Sequence, residues 1–340
     1  MINKIEFSAK NLTSNAGLFL LLEHANKNGV FDLIDHDLVF ENASTNKIKM
    51  NHIKTMLCGN FIGIDKLERL KLLQSDPLIN EFAISIKEPE TVSRFLGNFS
   101  YKTTHMMREI NFKVFKKLLR KKKLKSITID IDSSVVNVEG HQEGAVKGYN
   151  PKKLGNNCYN IQFAFCDELK AYITGFVRSG NTYTANGAAE MIKEIVAHIK
   201  TDDLEILFRM DSGYFDDVII EAIESAGCKY LIKGKEYPTL ASQVTAQSIS
   251  FTRGDEGRET TELVTKLDTW NKGRRFVVLR VLFLLFKMDF VNGTEYRQQI
   301  KTFRLKYIFL AGKIIRMARS VVLKLSKNYP YQEIYAKSLP

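Results

Sequence analysis

Cysteine is scarce in this 340-residue chain, and the four present, Cys58, Cys158, Cys166 and Cys228, form no C-x-x-C pair and have no histidine at ligand spacing. The scatter argues against a structural zinc site and for a reducing compartment, so a cytoplasmic protein is expected. The six histidines are dispersed as well. His141 lies in a Gly-rich loop, where it can face a substrate or serve as an ordinary loop residue. Long apolar runs are missing too. The longest, Phe276 to Phe286, is interrupted by Arg280 and falls far short of the roughly 20 residues of a spanning helix. It reads as buried core, and no membrane partner is expected. The segment from Met1 to Lys10 carries charges where a signal peptide needs an apolar stretch, so export is not expected. No internal repeat and no low-complexity segment stands out.

What remains is a chain able to fold and strongly basic. Hydrophobic residues make up 44% of it, which supports a sizeable core in one large domain or in two or three small ones. Lys and Arg number 50 against 38 Asp and Glu, a net charge of +12. A surplus of that size points first to nucleic acid and second to an anionic membrane surface. Cations crowd between Lys113 and Lys125, with Lys121-Lys122-Lys123 among them. Such a run is either a solvated helix end or a phosphate contact, and its place just before an acidic strand suits the second use.

Residues 14–120 read as mostly helical. Apolar helix-forming stretches flank an Asn28-Gly29 break, and Pro89-Glu90 opens a further helix through Leu96. Ser93 and Arg94 on it suit either a recognition helix in a helix-turn-helix or a plain bundle helix. From Ser126 the texture changes. Strands are expected over 126–138, 159–166 and 171–178, the last two joined by an Asp167–Lys170 turn. A helix over 185–200, a strand over 204–210, a helix over 215–226 closed by Gly227 and a strand over 228–232 follow. Three leading strands and then alternating helix and strand give an α/β fold of ribonuclease H-like order, a mixed sheet flanked by helices. Residues 238–278 are Thr-rich with β-branched alternation and read as a small β insertion. The tail from Lys301 reads as a basic helix, with Ile314, Ile315, Met317, Ala318, Val321, Val322 and Leu325 on a packing side and Lys313, Arg316, Arg319, Lys324 and Lys327 on the other. The expected organisation is a helical, DNA-binding region over 1–120, a catalytic core over 121–237, a β insertion over 238–280 and a helical basic region over 281–340.

Two short acidic segments carry most of the chemistry. Ile127 to Ser134 and Leu207 to Tyr214 are apolar, β-prone runs that reach an Asp and then break into small turn-forming residues. Each carboxylate should therefore sit at the exposed end of a buried strand. A lone Asp there is often a turn former or the N-cap of the next helix, a reading that suits Asp211 taken alone. Asp130 and Asp132, at i and i+2 of one strand, point to one face and repel each other unless a cation or base offsets them. Carboxylates from neighbouring strand ends can share hard divalent cations, which take oxygen ligands.

Ile129-Asp130-Ile131-Asp132-Ser133-Ser134, His141-Gln142-Glu143-Gly144, Lys147-Gly148-Tyr149, Arg178-Ser179-Gly180-Asn181-Thr182 and Arg209-Met210-Asp211-Ser212-Gly213-Tyr214 together resemble the DDE transposases of bacterial insertion sequences, in particular the group typed by insertion sequence 1380. The resemblance implies a ribonuclease H-like core that binds two divalent ions, Mg²⁺ or Mn²⁺, cuts double-stranded DNA at transposon inverted repeats and joins the 3′ ends to target DNA. A homodimer on DNA is expected. The first family Asp falls on Asp132, with Asp130 as an alternative ligand, and the second on Asp211. Lys121, Lys122, Lys123, Arg178, Arg316 and Arg319 are the expected DNA contacts. The family's third carboxylate is a Glu on a helix after the β insertion, within an Arg-Gly…Glu-Asn…Ile-Lys-Glu pattern that does not occur here. The connection from Val281 to Gln299 is shorter than the family's, which points to an internal deletion, and Glu295 is the only glutamate in it.

Overall fold

The structure, a computed structural model, describes residues 10–140, 142–150, 155–235, 243, 252–253, 258–281, 312–317 and 320–326. His141, Glu295 and Arg319 lie outside the described residues, as does the apolar stretch beyond Val281. The chain forms two compact units: Met1–Ile110 with Val291–Pro340, and Asn111–Phe290. No helix among the described residues is long and apolar enough to cross a membrane.

The first unit opens with strand β1 (Leu12–Thr13) and helices α1 (Leu18–Lys27), α2 (Val30–Asp37), α3 (Ala43–Ile62), α4 (Pro77–Glu81) and α5 (Pro89–Leu96). Local chemistry sets these boundaries. Gly29 takes a left-handed φ of 65° between α1 and α2, a conformation that glycine adopts without a Cβ penalty. The Asn42 and Asp76 side chains cap α3 and α4, and Pro77 and Pro89 fill first-turn positions. Asp76 is buried and also accepts from Thr13 Oγ1 (2.8 Å) and Asn15 Nδ2 (2.9 Å), which ties β1 to α4. On α5, Val92 and Phe95 are buried, and Phe95 stacks on His52 at 4.7 Å. Ser93 and Arg94 are exposed on the other side of that helix.

Helix α6 (Tyr101–Lys122) runs from the first unit into the second. There follow β2 (Ser126–Asn137), β3 (Val146–Lys147), β4 (Asn157–Cys166), β5 (Ala171–Ser179), α7 (Ala188–Ile199), β6 (Glu205–Met210), α8 (Asp217–Ser225) and β7 (Lys229–Ile232). In the sheet β4 pairs antiparallel with β5 on one edge and with β2 on the other, and β2, β6 and β7 run parallel to one another. Three antiparallel strands extended by two parallel ones is the ribonuclease H-like arrangement expected from the element order.

Alternation along these strands divides the sheet into two unlike faces. Ile127, Ile129 and Ile131 of β2, Ala164 and Cys166 of β4, and Ile206, Phe208 and Met210 of β6 share one core with Phe112, Phe115 and Leu119 of α6 and the apolar sides of α7 and α8. Residues of the other parity form a face that includes Asp130, Asp132, Phe163 and Phe165. On it Val177 is 66% exposed and Leu231 60%.

The β insertion is present as an antiparallel sheet of β8 (Thr252–Arg253), β9 (Arg258–Thr265) and β10 (Arg274–Val281). Trp270 packs against Phe215 (4.9 Å) and Phe276 (5.8 Å). The Arg274 side chain, 3% exposed, bonds to Asp217 and Glu224 of α8 and lies over the Trp270 ring at 4.7 Å. Phe276 to Val281 is thus a strand and not continuous core. Phe276 is half-buried and Val277 58% exposed.

The tail corrects another expectation. Its described residues are not helical: β11 (Gly312–Met317) pairs antiparallel with β12 (Ser320–Leu325), and β11 also pairs with β1 in the first unit. The β-branched run Ile314-Ile315 and Val321-Val322 suits a pleated surface. Ile314 is buried in the first unit's core and Lys313 is exposed, the period of two that a helical wheel hides.

Burial tends to raise the Glu224 carboxyl, but hydrogen bonds from Lys272, Arg274 and Tyr230 outweigh it and hold the pKa below the ordinary value. This contribution is present above the unfolded glutamate value of about 4.3 and is lost as pH falls through the lower folded value. Trp270 is the only tryptophan, so its emission reports the insertion. Arg274→Ala removes one partner of a buried ion-pair cluster and should cost about 3 kcal/mol. A red-shifted emission is expected at neutral pH in that variant, and in the unsubstituted protein only as pH falls through the lowered Glu224 value.

Candidate active site

Strands β2 and β6 lie side by side, in register from the Ser126–Glu205 pair through the Ile131–Met210 pair. The next residue of each is an aspartate, Asp132 and Asp211, so their Cα atoms lie about one strand spacing, ~5 Å, apart. Ile131 and Met210 point into the core, and alternation turns both aspartates to the opposite face. Asp211 is still extended, at φ −80° and ψ −178°. Its Oδ1 then accepts from the Gly213 N–H at 2.9 Å, while Asp132 Oδ1 accepts from the Ser133 N–H at 2.7 Å. Neither carboxylate has an ion-pair partner among the described residues, and each keeps its second oxygen open. Two such groups side by side repel unless a cation lies between them. Their oxygen chemistry suits a hard divalent ion. Among the described residues no group of three or more His, Cys, Asp or Glu is gathered for a metal.

Asp130 does not join them. In register it faces Arg209, whose Nε and Nη2 meet its two carboxylate oxygens at 2.6 and 2.8 Å. This two-pronged pair occupies both oxygens of the alternative ligand Asp130 and supplies the base that offsets its charge. The Asp130 contact raises the Arg209 pKa, and Arg209 also reaches Asp167 at 3.2 Å. The sequence holds a signal for this pair: aligning Asp132 with Asp211 sets Asp130 opposite Arg209, two residues earlier on each strand.

The basic run is also placed differently from expectation. Lys121, Lys122 and Lys123 are exposed at the end of α6, where Lys123 adopts a left-handed φ of 51° before β2 begins. Asp132 stands seven residues beyond Lys125, about 20 Å along the strand at ~3.3 Å per residue. Adjacency in sequence thus sets these lysines at the opposite end of the sheet from the aspartates. Arg178 is turned inward. It donates to the carbonyls of Tyr183, Thr184 and Asn186 and to Asn160 Oδ1 (2.7 Å), and burial pulls its pKa down. Its donors hold a loop. Arg316 falls within β11.

Sequence reasoning missed the support beneath the carboxylates. Tyr214 is fully buried, its hydroxyl 3.3 Å from Gln162 Nε2 of β4 and hydrogen-bonded to Ser133. Gln162 also donates to the Thr184 carbonyl (3.1 Å), which Arg178 holds from another side (3.2 Å). A Cβ on Gly213 would meet Thr184 Cγ2 at 2.9 Å, so glycine lets this loop lie against the Asp211 turn. Gly148 and Gly180 cross even more closely, a Cβ on Gly148 falling 1.8 Å from the Gly180 carbonyl oxygen. The separated Lys147-Gly148, Arg178–Thr182 and Asp211–Tyr214 segments are thereby drawn together.

The strand order defines a ribonuclease H-like core, with Asp132 and Asp211 adjacent where the parallel pairing of β2 and β6 ends. The chain belongs to the transposase DDE domain group 1 family, whose model matches residues 3–283. No curated protein sequence matches. Among solved structures it is similar to the piggyBac transposase in a synaptic complex with hairpin DNA, at 13% identity over 78% of this chain and 61% of that one, with a TM-score of 0.37. It is also similar to the catalytic domain of the Mos1 mariner transposase, at 12% identity over 44% of this chain and 74% of that one, with a TM-score of 0.24. A Mos1 mariner paired-end complex with Mn matches at 12% identity over 68% and 83%, with a TM-score of 0.25.

Burial raises the Tyr214 phenol above its ordinary pKa, opposed by hydrogen bonds with Gln162 and Ser133. The neutral form therefore contributes stability below the unfolded value of about 10, lost as pH rises through the folded value. Tyr214→Phe should cost about 1 kcal/mol at pH 7. Denaturant titrations at pH 7 and above pH 10 should show the variant losing less on alkalinisation than the unsubstituted protein.

Proposed function

We infer that this chain is an insertion-sequence transposase by descent, of the group typed by insertion sequence 1380, and that Asp132 and Asp211 are its metal ligands. One observation carries the reading: two carboxylates without a cationic partner among the described residues, side by side on the same face where the parallel pairing of β2 with β6 ends. Mg²⁺ or Mn²⁺ held there would supply the Lewis acid that activates the attacking oxygen of a phosphodiester exchange. The protein orients that site. Ser133 and Gly213 fix one oxygen of each carboxylate, Tyr214 holds the two turns together, and Arg209 keeps Asp130 out of the ligand set. DNA carrying the element's inverted repeats is the substrate this chemistry serves. The +12 charge, the exposed Lys121–Lys123 run and the exposed Ser93 and Arg94 of α5 support duplex binding.

A second reading concerns retained activity. The family's third carboxylate has no counterpart among the described residues, and its pattern is absent from the sequence. The exposed apolar residues Val177 and Leu231 on the face that bears the aspartates support the loss of a segment that would cover it. With two carboxylates the site retains ligands for one ion, and one ion does not stabilise both the attacking and the leaving oxygen. A DNA-binding remnant that holds element ends without cutting them follows.

Two outcomes are expected. Mn²⁺ should raise the melting temperature of the protein, with about 2.7 kcal/mol of added stability at a hundredfold excess over Kd, and Asp132→Asn or Asp211→Asn should abolish that shift while Asp130→Asn keeps it. An unchanged shift in the Asp132 and Asp211 variants would remove the ligand assignment. Duplex DNA with inverted-repeat ends should be bound with a steep salt dependence yet remain un-nicked in Mg²⁺ or Mn²⁺. Cleavage abolished by Glu295→Gln would instead make Glu295 the third ligand.

A further inference from the structure

The register that aligns the two aspartates extends to a third strand. Met210 of β6 pairs with Ile131 of β2 on one side and with Ile232 of β7 on the other. The residue after each of these three is charged: Asp132 on β2, Asp211 after β6 and Lys233 after β7. The Lys233 N–H donates to the Met210 carbonyl at 3.2 Å, the last rung of the β6–β7 ladder, so the backbone is still in the sheet at that point. Ile232 packs towards the core side, and alternation sends Lys233 to the face that bears the aspartates. Its Cα then lies about 5 Å from that of Asp211 and about 10 Å from that of Asp132, at one and two strand spacings.

Lys233 is exposed, and its ammonium has no partner among the described residues. Nearby charged groups on this face are matched: Arg209 with Asp130 and Asp167, Lys229 with Glu205, and Lys170 with Asp167. An unmatched cation on a four-carbon stem, level with two unmatched carboxylates, gives an ordered row of minus, minus and plus. A divalent ion between the carboxylates and an ammonium one strand away together present positive charge to a single anionic group.

We propose that Lys233 is the phosphate-binding cation of the Asp132–Asp211 site, contacting a non-bridging oxygen of the DNA phosphodiester that the site receives. The assignment rests on Asp132 and Asp211 being the metal ligands. It separates a local phosphate contact at Lys233 from the remote basic run at Lys121–Lys123, which meets the duplex at the other end of the sheet.

The test uses the full chain, a short duplex and Mn²⁺, with Lys233→Gln, Lys233→Arg and, as a matched charge removal elsewhere, Lys121→Gln. Lys233 repels a metal ion when no phosphate is present, so Lys233→Gln should bind Mn²⁺ more tightly, by about threefold in a melting-temperature titration. The same variant should bind the duplex about tenfold more weakly in Mn²⁺ and flatten the log–log salt slope by about 0.9, one phosphate contact. Lys233→Arg should restore duplex binding. Lys121→Gln should leave the Mn²⁺ titration unchanged and weaken duplex binding equally with and without the metal. The proposal alone is overturned if Mn²⁺ stabilises the unsubstituted protein through Asp132 and Asp211 but Lys233→Gln matches it in both titrations, or matches Lys121→Gln. Absence of any Mn²⁺ shift in the unsubstituted protein would remove the carboxylate site and this proposal together.

Discussion

The in-register parallel pairing of β2 with β6 is the constraint on which the site depends. Side chains alternate with a period of two, so a slip by one residue would move every inward residue outward. Ile127, Ile129 and Ile131 stand level with Ile206, Phe208 and Met210, and all six are buried. A slip would expose these apolar side chains and drive Asp130, Asp132 and Arg209 into the core, where an uncompensated charge is far costlier. On the opposite face the Arg209–Asp130 fork fixes the same register. Its direct worth is about 1 kcal/mol or less at this exposure, so its use is geometric. One apolar and one ionic device, on opposite faces, thus hold the two aspartates level.

How much of this is legible in the sequence depends on whether a residue's role is local. Caps, turn residues and apolar periodicity are local, and the helices α5, α7 and α8 and the strands β2, β4, β5 and β6 lie within a few residues of their expected spans. Asp132 and Asp211 stand out because each ends an apolar run. The tail misleads because Ile314-Ile315, Met317, Val321-Val322 and Leu325 gather on one side of a helical wheel, while the same β-branched pairs suit a strand. The partner that decides between them, β1, is nearly the whole chain away. The basic run is misplaced by sequence for a geometric reason: a strand carries the chain across the sheet, so neighbours in sequence flank opposite ends. Tyr214, Gln162 and Arg178 act through contacts between distant segments, and no single window of sequence contains them.

The sheet is protected unevenly. Helices α6, α7 and α8 all contribute to the core on one face, whereas the other combines polar site residues with Phe163, Phe165 and Tyr172. The aromatic rings there pack against one another, Phe163 with Phe165 at 5.9 Å and Phe165 with Tyr172 at 5.7 Å. This ring cluster lies beside Asp132, since Phe163 is its direct cross-strand neighbour on β4. The environment of the carboxylates is therefore apolar on the β4 side and charged on the β6 side.

The pairing of β1 with β11 has a consequence for biosynthesis. Leu12 leaves the ribosome early, yet its cross-strand partner Lys313 follows some three hundred residues later. At synthesis rates of about 5–20 residues per second, that is a wait of roughly 15 to 60 s. Throughout it, the helices of the first unit must persist without the hairpin that contributes Ile314 to their core. The second unit is contiguous in sequence and can assemble while the first is still waiting for its closing strands.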